Sequence, residues 1–148
     1  MSYHNNPRIV TDSLTLCLDA NAKRSYSGSG TTWYDLSGNG YNGALTNSPT
    51  YNSSGYFDFD GTDSYISTSF GNGHNPATNP ISYTVWVKTH TSNGSRMIFV
   101  QGNWNGNFRS YFGMTDGVWG MGIQSSGWGS TQGGDAVTTN TWNHMCMV

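Results

Sequence analysis

At 148 residues, with a net charge of −2 and only 9% charged residues, the chain has room for one domain with a core. It lacks the basic stripe that a phosphate backbone demands, which argues against nucleic acid as a partner. No apolar run approaches the roughly 20 residues that cross a bilayer, and the first residues show no basic region followed by an apolar one, so neither membrane insertion nor classical secretion is expected.

Val, Ile, Leu and Phe fall below the roughly 20% level associated with disorder, but that association also needs a high net charge. Aromatic residues, at 14% of the chain, supply the apolar area that aliphatic residues do not. A weakly charged surface rich in Asn, Ser, Thr and Gly suits packing into an assembly better than dispersal as a monomer.

Residues 1–10 are expected to be a polar arm in which Pro7 opposes regular structure, either a frayed end or a grip on a neighbouring subunit. Residues 11–148 are expected to be a single domain. Its apolar residues alternate in short runs separated by Gly, Asn, Ser or Pro, which predicts strands over Leu14 to Asp19, Tyr56 to Phe59, Ser64 to Thr68 and Ile81 to Thr89. Further strands are predicted over Met97 to Gln101, Ser110 to Met114, Val118 to Gln124 and Trp142 to Val148. No window sustains a helical period, so the chain reads as all-β, and a two-sheet antiparallel sandwich or a barrel would bury its apolar faces. In ISYTVWVKT, Ile81, Tyr83, Val85 and Val87 share one face while Ser82, Thr84, Trp86 and Lys88 share the other.

The glycine-rich loop from Asp35 to Gly43 opens like an EF-hand calcium frame, with Asp35, Ser37, Asn39 and Gly40 in place. Position twelve of that frame is Thr46, not the closing acid. The expected role is a tight loop in which Asp35 and Asn39 bond nearby backbone and Gly38 and Gly40 take positive φ, with Ca²⁺ as the alternative. Phe57 and Phe59 alternate with Asp58 and Asp60, so both rings are expected inward and both carboxylates outward. Asp60-Gly61 is expected to start a hairpin turn that brings Asp63 close, and the three carboxylates either cap the turn or hold a hard cation.

Glutamate is absent from the chain, so the carboxylate pair used for glycoside hydrolysis has no obvious members. His4, His74, His90 and His144 show no zinc-type spacing, and no GxSxG elbow is present. An enzymatic role is therefore not expected. Trp104, Trp119 and Trp128 lie in Gly- and Asn-rich stretches with Tyr111 nearby, where flat rings beside amides could stack on sugars or pack against partners and core. Cys17 and Cys146 are expected to be reduced core thiols rather than a disulfide.

Several segments in order, LTLCLDA at Leu14, TWYDLSGNGYNG at Thr32, GYFDFDGTDSYIS at Gly55, ISYTVWVKT at Ile81 and TWNHMCMV at Thr141, resemble the laminin-G-like, concanavalin A-like jelly-roll family. The resemblance implies a jelly roll serving adhesion, glycan binding or assembly. The opening NPRIVTDSLTLCLDA followed by WYDLSGNG also resembles domains of tailed-bacteriophage structural proteins. That likeness implies a virion component, a capsid decoration or fibre, assembled in the host cytoplasm beside other virion proteins or copies of itself, with cell-surface glycans as an alternative partner. Family domains continue past the W-x-H strand, so the sheets are expected to lack their last members, with the sequence either a piece of a longer protein or its exposed edges covered by partners through strand addition.

Overall fold

The computed structural model describes residues 10–70, 80–102, 108–125 and 132–148. They fall in two compact units, Met1–Phe70 and Gly71–Val148. The described residues contain no helix, and every strand pair is antiparallel, consistent with a jelly-roll sandwich.

The first unit holds five short strands, β1 (Thr32–Trp33), β2 (Gly43–Thr46), β3 (Thr50–Asn52), β4 (Tyr56–Asp58) and β5 (Tyr65–Thr68). One sheet runs β1-β2-β5 and a separate ladder joins β3 to β4. Gly43 lets the three-stranded sheet close, because a Cβ there would lie 2.7 Å from Ile66 Cγ2. The core is aromatic: the rings of Tyr26 and Phe57 are 4.8 Å apart, Tyr26 and Tyr51 4.9 Å, and Trp33 and Phe57 4.9 Å. Each tyrosine keeps its hydroxyl bonded, Tyr26 to the carbonyl of Gly30 and Tyr51 to that of Ala20.

Two expectations fail in this unit. Leu14 to Asp19 forms no ladder; the Cys17 amide donates to the Asp35 carboxylate and the Asp19 amide to the Ser25 hydroxyl, so side chains take the groups a strand partner would use. The predicted hairpin is also absent, since β4 pairs with β3 and β5 pairs with β2. Six residues, Phe59 to Ser64, separate them, and Phe59 is exposed rather than in the core.

The second unit carries β6 (Tyr83–Val87), β7 (Ser95–Gly102), β8 (Phe108–Thr115), β9 (Val118–Ser125), β10 (Gln132–Ala136) and β11 (Asn143–Met147). A four-stranded sheet runs β10-β9-β8-β7, and β6 pairs with β11. Asp116 and Gly117, with φ of 47° and 82°, make the two-residue connection between β8 and β9 that the right-handed twist of a hairpin favours. Phe112, Met114 and Trp119 are buried on one face of the sheet. Burying each such side chain contributes about 1.5–3 kcal/mol relative to exposure.

The inward face of β6 reaches this core through Tyr83. Its ring lies 4.6 Å from that of Phe99, and its hydroxyl donates to Gln101 Oε1 at 2.5 Å. Gln101 Oε1 also accepts from the Ser110 hydroxyl at 3.0 Å, and both Gln101 and Ser110 are buried. Burial pushes the Tyr83 phenol above its ordinary pKa, so it stays a donor at neutral pH.

Both cysteines are free. Cys17 is half-buried, and burial together with the charges of Asp19 and Asp35 raises its thiol pKa. Cys146 is exposed, not in the core as expected, because alternation along β11 turns it outward while Met147 is buried. Tyr83→Phe should lower stability by about 0.5–1.5 kcal/mol in urea denaturation, by removing one donor from the buried amide while leaving the ring in place.

Candidate functional site

The acidic residues singled out by sequence are loop builders. Asp35 uses both carboxylate oxygens twice: Oδ1 accepts the amides of Cys17 and Ser37 at 2.9 Å each, and Oδ2 accepts the Ser37 hydroxyl at 2.7 Å and the Tyr41 amide at 3.1 Å. Partial burial pushes its pKa up, but the bonds from Ser37, Cys17 and Tyr41 outweigh that and hold it below the usual carboxylate range. The side-chain amide of Asn39 donates to the carbonyls of Leu14 and Thr15, tying the loop to the preceding segment. Gly38 and Gly40 take φ of 94° and 77°, as the spacing predicts.

Asp60 does the same in the β4–β5 connection. One of its oxygens accepts the amides of Thr62, Asp63 and Ser64 and the Ser64 hydroxyl. These bonds, from Thr62 and Ser64 foremost, lower its pKa to about 2. Asp58, Asp60 and Asp63 are all exposed. Among the described residues no group of three His, Cys, Asp or Glu side chains is placed to hold a metal ion.

Of the aromatic candidates, Trp104 and Trp128 lie outside the described residues. Trp119 is only 3% exposed and stacks on Phe112 at 6.4 Å, so core packing holds its ring and no open face is left for a sugar. Tyr111 is half-buried, and its ring lies over Gly122, where a Cβ would fall 2.3 Å from the ring edge.

Tyr34, Phe59 and Tyr65 are exposed singly in the first unit, while in the second unit the exposed rings, Trp86 and Trp142, lie on or beside the outward face of β6 and β11. Alternation along β6 points Tyr83, Val85 and Val87 inward and Thr84 and Trp86 outward. Trp86 is 64% exposed and sits directly opposite His144 in the ladder. The two rings stack at 4.8 Å with an interplanar angle of 23°, and His144 Nε2 lies 2.8 Å from Thr84 Oγ1. The next position outward from β11 is Trp142, 43% exposed, with Lys88 Nζ 5.4 Å from its ring centroid.

Trp142 also borders a shallow recess of about 390 Å³, lined in addition by Trp119, Asp135, Thr138 and Asn143. The Asn143 amide donates to the carbonyls of Thr138 and Thr141, holding the approach to β11.

The sequence reading overlooked Trp86 and Trp142 because it favoured tryptophans flanked by glycine. The signal was present in ISYTVWVKT, whose outward residues include a tryptophan beside threonine and lysine. An aromatic side chain left on the solvent side of a half-buried strand is a candidate contact residue.

The described strands are antiparallel throughout, and the second unit displays aromatic and hydroxyl groups on an outward sheet face, a surface that suggests a binding module. The laminin G type model of the concanavalin A-like lectin/glucanases superfamily matches residues 60–148, more than half of the sequence, and the chain belongs to that superfamily. No curated protein and no solved structure matches the chain.

The Asp60 loop has a definite pH signature. A carboxylate whose pKa falls on folding, here from the ordinary 3.8 to about 2, adds stability above pH 3.8 that is lost as the pH drops toward 2. In chemical denaturation Asp60→Asn should be less stable than the parent chain at pH 7, and the difference should shrink as the pH approaches 2.

Proposed function

We propose that this chain is a non-enzymatic glycan-binding module whose contact surface is the outward face of β6 and β11. The observation that carries the reading is Trp86, an indole exposed on a sheet face, backed by His144 and flanked by the Thr84 hydroxyl. The flat apolar face of a sugar ring stacks on such an indole while its hydroxyls bond neighbouring polar groups. Fixing the indole beforehand lowers the ordering cost of binding.

Support for a non-catalytic role comes from the acids. The chain has no glutamate, and its best-ordered carboxylates, Asp35 and Asp60, hold backbone amides. In this reading the module acts on the surface of a virion, beside other virion proteins or copies of itself. The likeness of its opening segments to phage structural domains supports that setting.

A glycan array probed with the parent chain and with Trp86→Ala tests the function. The parent should bind a defined set of glycans and the variant should lose about ten-fold or more in affinity, with an unchanged melting temperature because the indole is outside the core. An empty array for the parent chain would refute the reading.

A further inference from the structure

We propose that Asn93 is a self-modifying residue: in the folded chain it loses its side-chain amide through attack by the Gly94 backbone nitrogen and becomes a mixture of aspartate and isoaspartate. The proposal stands apart from the glycan reading and concerns a different part of the second unit.

Asn-Gly is the chemically weak pair of this chain. Glycine has no Cβ to shield its nitrogen, so that nitrogen can reach the side-chain carbonyl of the preceding asparagine. The pair occurs at Asn39-Gly40, Asn42-Gly43 and Asn93-Gly94 among the described residues, and at Asn72-Gly73 and Asn105-Gly106 outside them. The fold restrains two of the three described pairs. The Asn39 side-chain amide donates to the carbonyls of Leu14 and Thr15 at 3.1 and 3.0 Å. The Asn42 side-chain oxygen accepts the Asp35 amide at 2.9 Å, and Gly43 is buried in its sheet, paired with Trp33 and Thr68. Attack at either would first have to break these bonds, so the reacting atoms are held apart from the geometry they need.

Asn93 is different. It is exposed, its backbone amide donates to Thr91 Oγ1 at 3.1 Å, and among the described residues its side chain has no hydrogen-bond partner. Gly94 lies in the bend before β7 with φ of 70°, and its carbonyl accepts the Asp116 amide at 3.2 Å while its own nitrogen has no backbone partner among the described residues. The amide to be attacked and the nitrogen that attacks are thus both available.

A cation stands beside this peptide. Arg96 Nη1 lies 3.4 Å from the position a Cβ would take at Gly94, and the same nitrogen donates to the Ser95 carbonyl at 2.9 Å. Attack places negative charge first on the Gly94 nitrogen and then on the oxygen of the tetrahedral intermediate. A guanidinium held nearby stabilises charge as it develops.

The reaction needs only the chain and water. The Gly94 nitrogen gives up its proton and bonds to Asn93 Cγ, the bond from Cγ to the side-chain nitrogen breaks, and ammonia leaves with that proton. Water then opens the cyclic imide at one carbonyl to give aspartate or at the other to give isoaspartate. Isoaspartate lengthens the main chain by a carbon just before β7, where the Gly94 carbonyl holds the β8–β9 turn through Asp116.

Peptide mapping of the folded chain after incubation in mildly alkaline buffer tests the proposal. Trypsin isolates Asn93 in residues 89–96, where mass spectrometry reads the conversion of amide to acid and enzymatic methyl labelling reads isoaspartate. Asn93 should convert about ten-fold or more faster than Asn39 and Asn42, and the difference should collapse in urea, where all three lose their native settings. Asn93→Gln should leave that peptide unconverted. Arg96→Gln should slow conversion at Asn93 about three-fold in the folded chain and have little effect in urea. Equal rates at Asn93, Asn39 and Asn42 in the folded chain, or a lead for either of the other two, overturns the proposal. An unchanged rate in Arg96→Gln overturns the assistance by its guanidinium.

Discussion

The Tyr83 hydroxyl, bonded to the buried amide of Gln101, is the contact on which the second unit turns. It joins β6 to the four-stranded sheet through a polar group in an otherwise aromatic and sulfur-rich interior, where Phe99, Phe112, Met114 and Trp119 gather. A buried amide oxygen without partners costs free energy, so the hydroxyls of Tyr83 and Ser110 are tied to positions from which they reach it. With Tyr83 directed inward, the pleat sends Thr84 and Trp86 outward. The display of an indole to solvent is thus the other side of a buried hydrogen bond.

The first unit solves a different problem. It has few aliphatic residues and short strands, so much of its order comes from polar side chains that substitute for sheet partners. Asp35 gathers Cys17, Ser37 and Tyr41 around one carboxylate, Ser25 accepts from the Asp19 amide and donates to the Tyr34 carbonyl, and Asp60 closes the loop after β4. Charged acceptors form stronger bonds than neutral ones, which lets a single aspartate organise a turn that the apolar residues there cannot. The same bonds occupy the oxygens that a cation would need at Asp35.

The all-β class and seven of the strands were legible from alternation, because apolar runs such as those around Tyr83 and Phe112 repeat with a period of two. Strands β1, β2, β3 and β10 were not, since Thr32–Trp33, Gly43–Thr46, Thr50–Asn52 and Gln132–Ala136 are short or rich in Gly, Asn and Thr and show too few alternating apolar residues to mark a strand. The hairpin expected from Tyr56 to Ile66 failed because adjacency in sequence does not choose between neighbours on different ladders. Glycine around Trp119 looked like a mark of exposure, yet Gly117 serves the β8–β9 turn at φ 82°, and a Cβ at Gly134 on the neighbouring strand would lie 2.8 Å from the Trp119 carbonyl oxygen, so small residues near this ring report a turn and a close approach of strands. Trp86 carried its own signal in the alternation, but its stack on His144 depends on a pairing that spans much of the second unit.

The register of β6 against β11, Tyr83 with Met147, Val85 with Met145 and Val87 with Asn143, gives a last consequence. Sliding β11 by one residue would exchange every outward group on it for an inward one, placing His144 in the interior and Met145 in the solvent. Such a slip would cost buried area and leave an imidazole among apolar neighbours. The alignment of the exposed rings is therefore guarded by the methionines beneath them, and a change confined to the interior of this ladder could erase the outer surface without altering one of its residues.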